Sequence, residues 1–255
     1  LNGSQNPFSG TDTYKSLSDL PLEERVVEMK KKEIKEKILS EDPIKGSTFP
    51  LINRIGYSQM YRFGSPPNYN PKQEDSIENL ASVKGVSAAE MAYDILLEND
   101  GNNFIYAPLV NYADHTFNVC QTMLEDKNAI MGLGDGGAHV GFILDAGYPT
   151  WLISYWSVKK KVFSMEETIR RLTSDTAIAA GLSDRGLLKV GLKADINIID
   201  WDNVGSSDPF MTQDLPAGGK RLMQHTKGYV ATIVAGKITY ENGNSTKERP
   251  GILVR

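Results

Sequence analysis

The sequence predicts an α/β protein in which helices alternate with buried parallel strands, followed by a smaller element built from β-hairpins. Three observations carry this. Between residues 87 and 181 the hydrophobic pattern reads helix, strand, helix, strand, helix. The two strand candidates, "NFIYAPLV" (103–110) and "AIMGLG" (129–134), are apolar runs that suit strands covered on both faces. After Gly181 the texture shifts to short alternating runs divided by Gly turns.

The elements follow in chain order. Residues 1–20 are rich in Gly, Asn, Pro and Ser and read as turns. Pro21 opens "PLEERVVEMKKKEIKEKILSED", where Leu22, Val26, Met29, Ile34 and Ile38 recur at roughly helical spacing among dense charge. This predicts one broken helix or two exposed ones, with the charge run as a solvated face. From Asp42 to Gly85 the chain reads as irregular, a long loop or insertion around "GSPPNYNP". Ser87-x-x-Glu90 is a capping box, so Ser87 should start a helix that runs to about Glu98. "CQTMLED" (120–126) reads as a short helix, with Cys120 a small core residue. Ser164-x-x-Glu167 is a second capping box. Its helix should turn Ile169, Leu172, Thr176, Ala177 and Ala180 inward and stop at Gly181. "GLLKVGLKADINIID" reads as two short strands around a Gly-Leu-Lys turn, and "YVATIVAGKITYENG" as a hairpin across Ala-Gly-Lys.

Composition excludes several classes. A chain of 255 residues with 40% apolar residues can bury a substantial core. A net charge of -4 argues against nucleic acid as a partner. No apolar run reaches the roughly 18 residues of a membrane span. The single cysteine, Cys120, forms no intrachain disulfide, which fits a reducing, cytoplasmic setting.

The chemistry concentrates in "AIMGLGDGGAHVG", residues 129–141. Gly132, Gly134 and Gly137 match the dinucleotide spacing, but Asp135 would put an anion where a pyrophosphate belongs. No acid stands about 20 residues on, and Tyr148-Pro149 interrupts the helix the motif needs. The other reading is a carboxylate at the end of the buried run Ile130–Leu133. There Gly134, Gly136 and Gly137 let a substrate or metal approach the backbone. Such a carboxylate can ligate a divalent metal and take a proton from water. The plain alternative stays open: Asp135 caps a turn that the glycines permit. His139 is a candidate contact to substrate or metal, and His115 has a similar standing. His225 reads as surface.

"LTSDTAIAAGLSDRGLLKVGLKADINIID", with Thr173, Ser174, Ala177, Gly186, Gly191, Ala194, Asp195 and Asp200, resembles the C-terminal signature of the amidohydrolase (urease-related) superfamily. "NPFSG", "LGDGGAHVG", "DLPAGGKRLMQHTKGYVATIVAGKITYENG" and "RPGILVR" are similar, more narrowly, to its N-acyl-D-amino-acid deacylase (D-aminoacylase) branch. The resemblance implies the C-terminal part of a distorted (β/α)8 TIM barrel over 1–185, with 42–85 as an insertion, and a small β-sandwich element over 186–255. It implies metal-dependent hydrolysis of a linear amide, with Asp135 as the metal-facing general base and Gly136, Gly137 and His139 near the substrate. Zinc or another divalent metal is expected in the complete enzyme. This chain has no His-x-His and only three scattered histidines. It is therefore expected to hold no tight metal alone and to lack the enzyme's N-terminal part. The partners implied are an N-acyl amino acid or similar amide and further copies of the chain. A cyclic amidohydrolase of the dihydropyrimidinase kind, or a non-catalytic fragment, is the alternative.

Overall fold

The computed structural model describes residues 1, 3–47, 54–132, 137 and 139–254. The chain divides into two compact units. The first comprises Leu1–Met123 and Gln213–Arg221, the second Leu124–Thr212 and Leu222–Arg255. No helix among the described residues is long and apolar enough to cross a membrane.

The first unit is mainly helical. Helix α1 (Asp12–Leu17) starts at Thr11, whose side chain accepts from the Tyr14 N–H. The charged stretch after Pro21 forms two helices, α2 (Leu22–Met29) and α3 (Lys32–Ser40). Lys31, extended at φ -71 and ψ 133, breaks them apart. Their apolar stripes supply Val26, Met29 and Ile38 to the core. Ser87 caps α5 (Ala88–Gly101) as expected, accepting from Glu90 N at 3.1 Å. Regular helix ends at Glu98, which is extended and is followed by left-handed Asn99 and Asp100.

The region 42–85 is less irregular than its composition suggests. It holds a two-residue strand, β1 (Tyr61–Arg62), and helix α4 (Ile77–Lys84). Helix α4 begins at Ser76, whose side chain accepts from Asn79 N, and ends at left-handed Gly85. Met60, Tyr61, Phe63, Ile77 and Ala81 from this region are buried. Together with Met91, Ala92, Tyr93, Ile95 and Leu96 of α5, Met60, Ile77 and Ala81 build the principal core cluster. Each such side chain contributes roughly 1.5–3 kcal/mol when fully withdrawn from water. The buried Tyr93 hydroxyl donates to Met29 O at 2.8 Å, so its burial leaves no donor unsatisfied.

The second unit begins its helices with α7 (Tyr148–Trp151), which runs into a π-helical stretch over Leu152–Lys159. Ser164 caps α8 (Met165–Leu172), again as the box predicts. Thr173, at φ -125 and ψ -85, divides the expected single helix into α8 and α9 (Ser174–Ala179). Gly181, left-handed at φ +72, follows as the stop. Of the face expected to turn inward, Ala177 is buried and Ala180 is exposed. A four-stranded antiparallel sheet orders β10 (Asn244–Ser245), β9 (Lys237–Glu241), β8 (Tyr229–Val234) and β3 (Ile196–Ile199). The expected hairpin is β8–β9. Its turn residues Ala235 and Gly236 both have positive φ, 48 and 77 degrees, which matches strand twist in a two-residue turn. Asp195 braces that turn: its carboxylate accepts from Ala235 N at 2.8 Å, and Ala194 O accepts from Gly236 N at 3.0 Å. Strand β4 (Gly205–Ser206) pairs with β7 (Thr226–Lys227), and β5 (Phe210–Leu215) with β6 (Gly219–Met223).

Several expectations need correction. The mixed α/β class stands, but every pairing whose register is described is antiparallel. The run 103–110 supplies only β2 (Ile105–Tyr106), which pairs antiparallel with β1. Residues 129–132 form no strand, and Ile130 is 51% exposed. An apolar run favours burial, whereas a strand also needs backbone partners beside it. The described backbone bond at this run is a local turn, Ala129 N to Asp126 O. No closed barrel or two-layer sandwich forms among the described residues. Leu187, Leu188 and Val190 lie in a loop instead of the first of two strands, and Val190 is wholly exposed. Cys120 is not a core residue: α6 (Asn118–Glu125) buries none of its side chains, and Cys120 is half-buried.

Candidate functional site

Asp135, Gly136 and Gly134 lie outside the described residues. Gly137 and His139 are described, and they belong to a loop of the second unit running to Gly147, before α7. Gly137 sits at φ +102, a conformation that L side chains rarely adopt, and a Cβ there would meet nothing within 4 Å. Glycine is required here by the backbone, and the space over it is open. His139 is left-handed at φ +49 and exposed. Its carbonyl accepts from both Phe142 N and Ile143 N at 3.0 Å, and its ring lies 5.5 Å from that of Phe142.

Two contacts fix this loop. Val140 O accepts from Leu222 N of β6 at 2.7 Å. At the other end Gly147 lies against polar side chains, so that an added Cβ would stand 3.6 Å from Gln224 Oε1. Gln224 is held in turn, donating to Ser207 O at 2.6 Å. Beyond it, Thr150 on α7 and Tyr229 on β8 join through their hydroxyls at 3.0 Å. The loop therefore presents an exposed imidazole on a pinned backbone, beside a glycine with free space above it. Such a surface can admit a small polar substrate to the backbone beside the imidazole.

The other histidines do different work. His115, in the first unit, has both ring nitrogens engaged, Nδ1 with Tyr61 Oη at 2.5 Å and Nε2 with Gln59 Nε2 at 3.3 Å. His225 is exposed, as expected, with its ring 4.9 Å from that of Phe210. Burial pushes the Cys120 thiol pKa up, aided by the nearby Asp114 carboxylate, so it is a poor thiolate donor. Among the described residues no three of His, Cys, Asp and Glu come together where a metal ion could be held. The described donors therefore do not fit a metal centre. The Tyr61–His115–Gln59 cluster was missed from the sequence, because its members stand 54 and 56 residues apart and share no local signal.

A family model described as "Amidohydrolase family" matches residues 52–240. A dihydroorotase of Lactobacillus acidophilus is 33% identical over an 89-residue alignment that covers 33% of this chain and 20% of the relative. A D-aminoacylase crystal structure, presented as defining a novel subset of amidohydrolases, has a TM-score of 0.41 and 22% identity. It is covered over 36% of its length by 74% of this chain. A second D-aminoacylase structure, concerned with that protein's binuclear metal centre, has a TM-score of 0.41, 21% identity and the same coverage. The matched stretches thus span a fifth to about a third of these relatives.

Proposed function

The chain belongs to the amidohydrolase family, and from that premise we propose that it supplies the proton-transfer carboxylate of an enzyme that deacylates N-acyl-D-amino acids. The observation that carries this is the glycine-flanked Asp135, which lies inside the matched span, two residues before Gly137 and four before His139 in the sequence. In this reading water attacks the amide carbonyl while Asp135 accepts its proton. The tetrahedral intermediate then collapses, the C–N bond breaks, and the proton returns to the departing amine. Gly136 and Gly137 let the substrate lie against the backbone, and His139 contacts it from the rim. The complete barrel and a zinc or other divalent ion belong to the same reading. Asp135 is the ligand this chain would offer such an ion, and the described residues add no triad to it.

The deacylase branch rests on "DLPAGGKRLMQHTKGYVATIVAGKITYENG" and "RPGILVR". A cyclic amide is the second reading, favoured by the dihydroorotase match over 89 residues. Assay of the complete enzyme separates the two, with an N-acetyl-D-amino acid as one substrate and a dihydropyrimidine or dihydroorotate as the other. Asp135→Asn in that enzyme should keep the fold and lower turnover roughly 10²–10⁴-fold, because an amide takes no proton from water. Near-full turnover in the variant would overturn the assignment of Asp135.

A further inference from the structure

The loop that carries Gly137 and His139 is held on its far side by Leu222 N at Val140 O and by Gln224 beside Gly147. Its near side is anchored by a residue from a distant helix. Between Asp126 and Gly147 the described residues form neither helix nor strand. A stretch of that kind has no backbone ladder of its own and takes its shape from contacts with the rest of the fold.

The near-side contact comes from Arg171, in the last turn of α8. Its Nη1 donates to Leu124 O at 2.7 Å, across 47 residues. Leu124 lies in the last turn of α6, where carbonyls have no partner inside the helix. Just beyond it, Asp126 turns the chain: its carboxylate accepts from Asn128 N at 2.7 Å and its carbonyl from Ala129 N at 3.1 Å. From that turn the sequence runs on to Gly132 and Asp135.

The guanidinium that makes this bond is itself fixed on every side. Its central carbon lies 4.6 Å from the centre of the Phe163 ring. Phe163 is buried, and its carbonyl accepts from Ser157 Oγ at 2.9 Å. Nε and Nη2 both donate to Glu167 Oε1, at 3.1 and 2.9 Å. Arg170, in the same turn, shows what a helix end alone requires of a cation: it is 54% exposed and pairs with Asp175 at 2.8 Å. The Arg171 side chain is only 11% exposed. It turns one edge to Glu167, a second to a remote carbonyl and its face to an aromatic ring. A lysine has one nitrogen and no plane, and cannot do all three.

We propose that Arg171 is a positioning residue for this site: through Leu124 it fixes the entry of the segment that carries Asp135, Gly137 and His139. This rests on the reading of that segment as the seat of the amide hydrolysis proposed above. Arg171 touches no substrate in it. It sets where the segment starts, and small displacements of reacting groups cost turnover heavily.

Two variants separate holding the segment from bracing α8. Arg171→Lys keeps a charge opposite Glu167 and loses the bond to Leu124. Glu167→Gln weakens the ion pair and leaves the bond to Leu124 in place. In the complete enzyme Arg171→Lys should lower kcat roughly ten- to a hundredfold with KM within about twofold, and Glu167→Gln should leave both within about twofold. In the 255-residue chain, hydrogen exchange at Asn128 and Ala129 should quicken roughly tenfold in Arg171→Lys and stay unchanged in Glu167→Gln. Unchanged exchange in Arg171→Lys, or an equal loss of kcat in Glu167→Gln, would overturn the assignment. So would an unchanged kcat in Arg171→Lys beside a crippled Asp135→Asn enzyme. Near-full turnover of Asp135→Asn would sink the reading of the reaction instead, and the exchange result would still decide whether Arg171 holds the segment. Should Arg171→Lys fail to fold, Arg171→Met, which keeps the bulk over Phe163, replaces it in both measurements.

Discussion

The two units bury their apolar residues by different means. In the first, α2, α3, α4 and α5 turn their stripes to one cluster, and Met29, Ile77, Tyr93 and Ile95 reach zero exposure within it. In the second, burial is concentrated in the π-helical stretch, at Leu152, Ile153, Tyr155 and Trp156, while the loop before β3 leaves Leu188 84% exposed. The four-stranded sheet buries Ala231 but leaves Ile198, Val230, Ile238 and Tyr240 exposed. Helix stripes from one neighbourhood in sequence close a core among themselves. A small antiparallel sheet has two faces and must find cover for each. Stability of the first unit should therefore be sensitive to side-chain volume, and that of the second to backbone geometry and turns.

The largest expected effect tests the volume half of that contrast. Ile95→Ala on α5 removes a fully buried side chain from the helical core. It should cost about 2–5 kcal/mol, from lost transfer energy and a residual cavity. Helical circular dichroism during denaturant unfolding reads it. The three tryptophans, Trp151, Trp156 and Trp201, all lie in the second unit and report that unit separately. A cost below about 1 kcal/mol on the helical signal would break the comparison.

The next effect tests the backbone half through two glycines of the second unit. Gly228, at φ +84, precedes β8, and a Cβ there would stand 2.6 Å from Val204 Cα and 2.8 Å from Val204 N. Gly191 has a similar φ of +93 with nothing within 4 Å. Gly191→Ala should cost about 1 kcal/mol from backbone strain alone. Gly228→Ala adds a clash with backbone that cannot swing aside, and should cost about 2–3 kcal/mol. Equal costs, read by tryptophan fluorescence, would show that close approach to Val204 does not matter.

The same contrast explains what could be read from the sequence. The caps at Ser87 and Ser164 were legible because each bond spans three residues, Glu90 N to Ser87 Oγ and Glu167 N to Ser164 Oγ. The β8–β9 hairpin was legible because its turn is two residues long. Helix α4 was missed because Ser76 is followed by Asn79 at the third position, which is not the reciprocal Glu or Gln of a capping box. The strand at 103–110, and that at 129–134 over its described residues 129–132, were misjudged because apolar content says nothing about what lies beside the backbone. The bracing of the hairpin turn by Asp195 acts across 40 residues and left no local trace. Of the candidate site, the glycine at 137 was readable as a conformational requirement, and the position of Asp135 lies outside the described residues. The Tyr61–His115 bond joins residues that only the fold brings together.

A smaller effect concerns a polar contact at the edge of the helical unit. Glu41, just after α3, accepts from Thr13 Oγ1 at 2.5 Å and from Thr13 N at 2.9 Å. These bonds, side chain first, hold its carboxyl below the ordinary glutamate range, with Lys37 adding a smaller pull. A depressed carboxyl pKa contributes stability that is full above the unfolded value, near about 4.3, and is lost as pH falls through the folded one. Thr13→Val removes the hydroxyl and keeps the backbone donor. It should lower stability by about 0.5–1 kcal/mol near pH 7, discounted for the partial exposure of Glu41. The gap to wild type should close below about pH 4, as Glu41 takes its proton. A melting-temperature difference that is constant across that range would mean the hydroxyl acts through packing instead.

The smallest effect is expected where the second unit exposes most. The loop carrying Leu187, Leu188 and Val190 is closed at its neck, by Lys193 N to Asp184 O at 2.8 Å and by the Lys193–Asp184 ion pair at 3.5 Å. Inside the loop Leu192 N bonds Lys189 O at 3.1 Å. Backbone bonds and charges thus hold the loop, and its leucines contribute little to it. Leu188→Ser should change stability by no more than about 0.5 kcal/mol, since a side chain already in water has no burial to lose. This is the mirror image of Ile95→Ala: a comparable apolar deletion, with burial alone setting the outcome. Thermal melting and sedimentation of the two chains side by side provide the check. A loss above about 1.5 kcal/mol for Leu188→Ser, or a change in its sedimentation, would mean the loop tip is covered in solution. The second unit would then owe its stability to apolar volume as the first does.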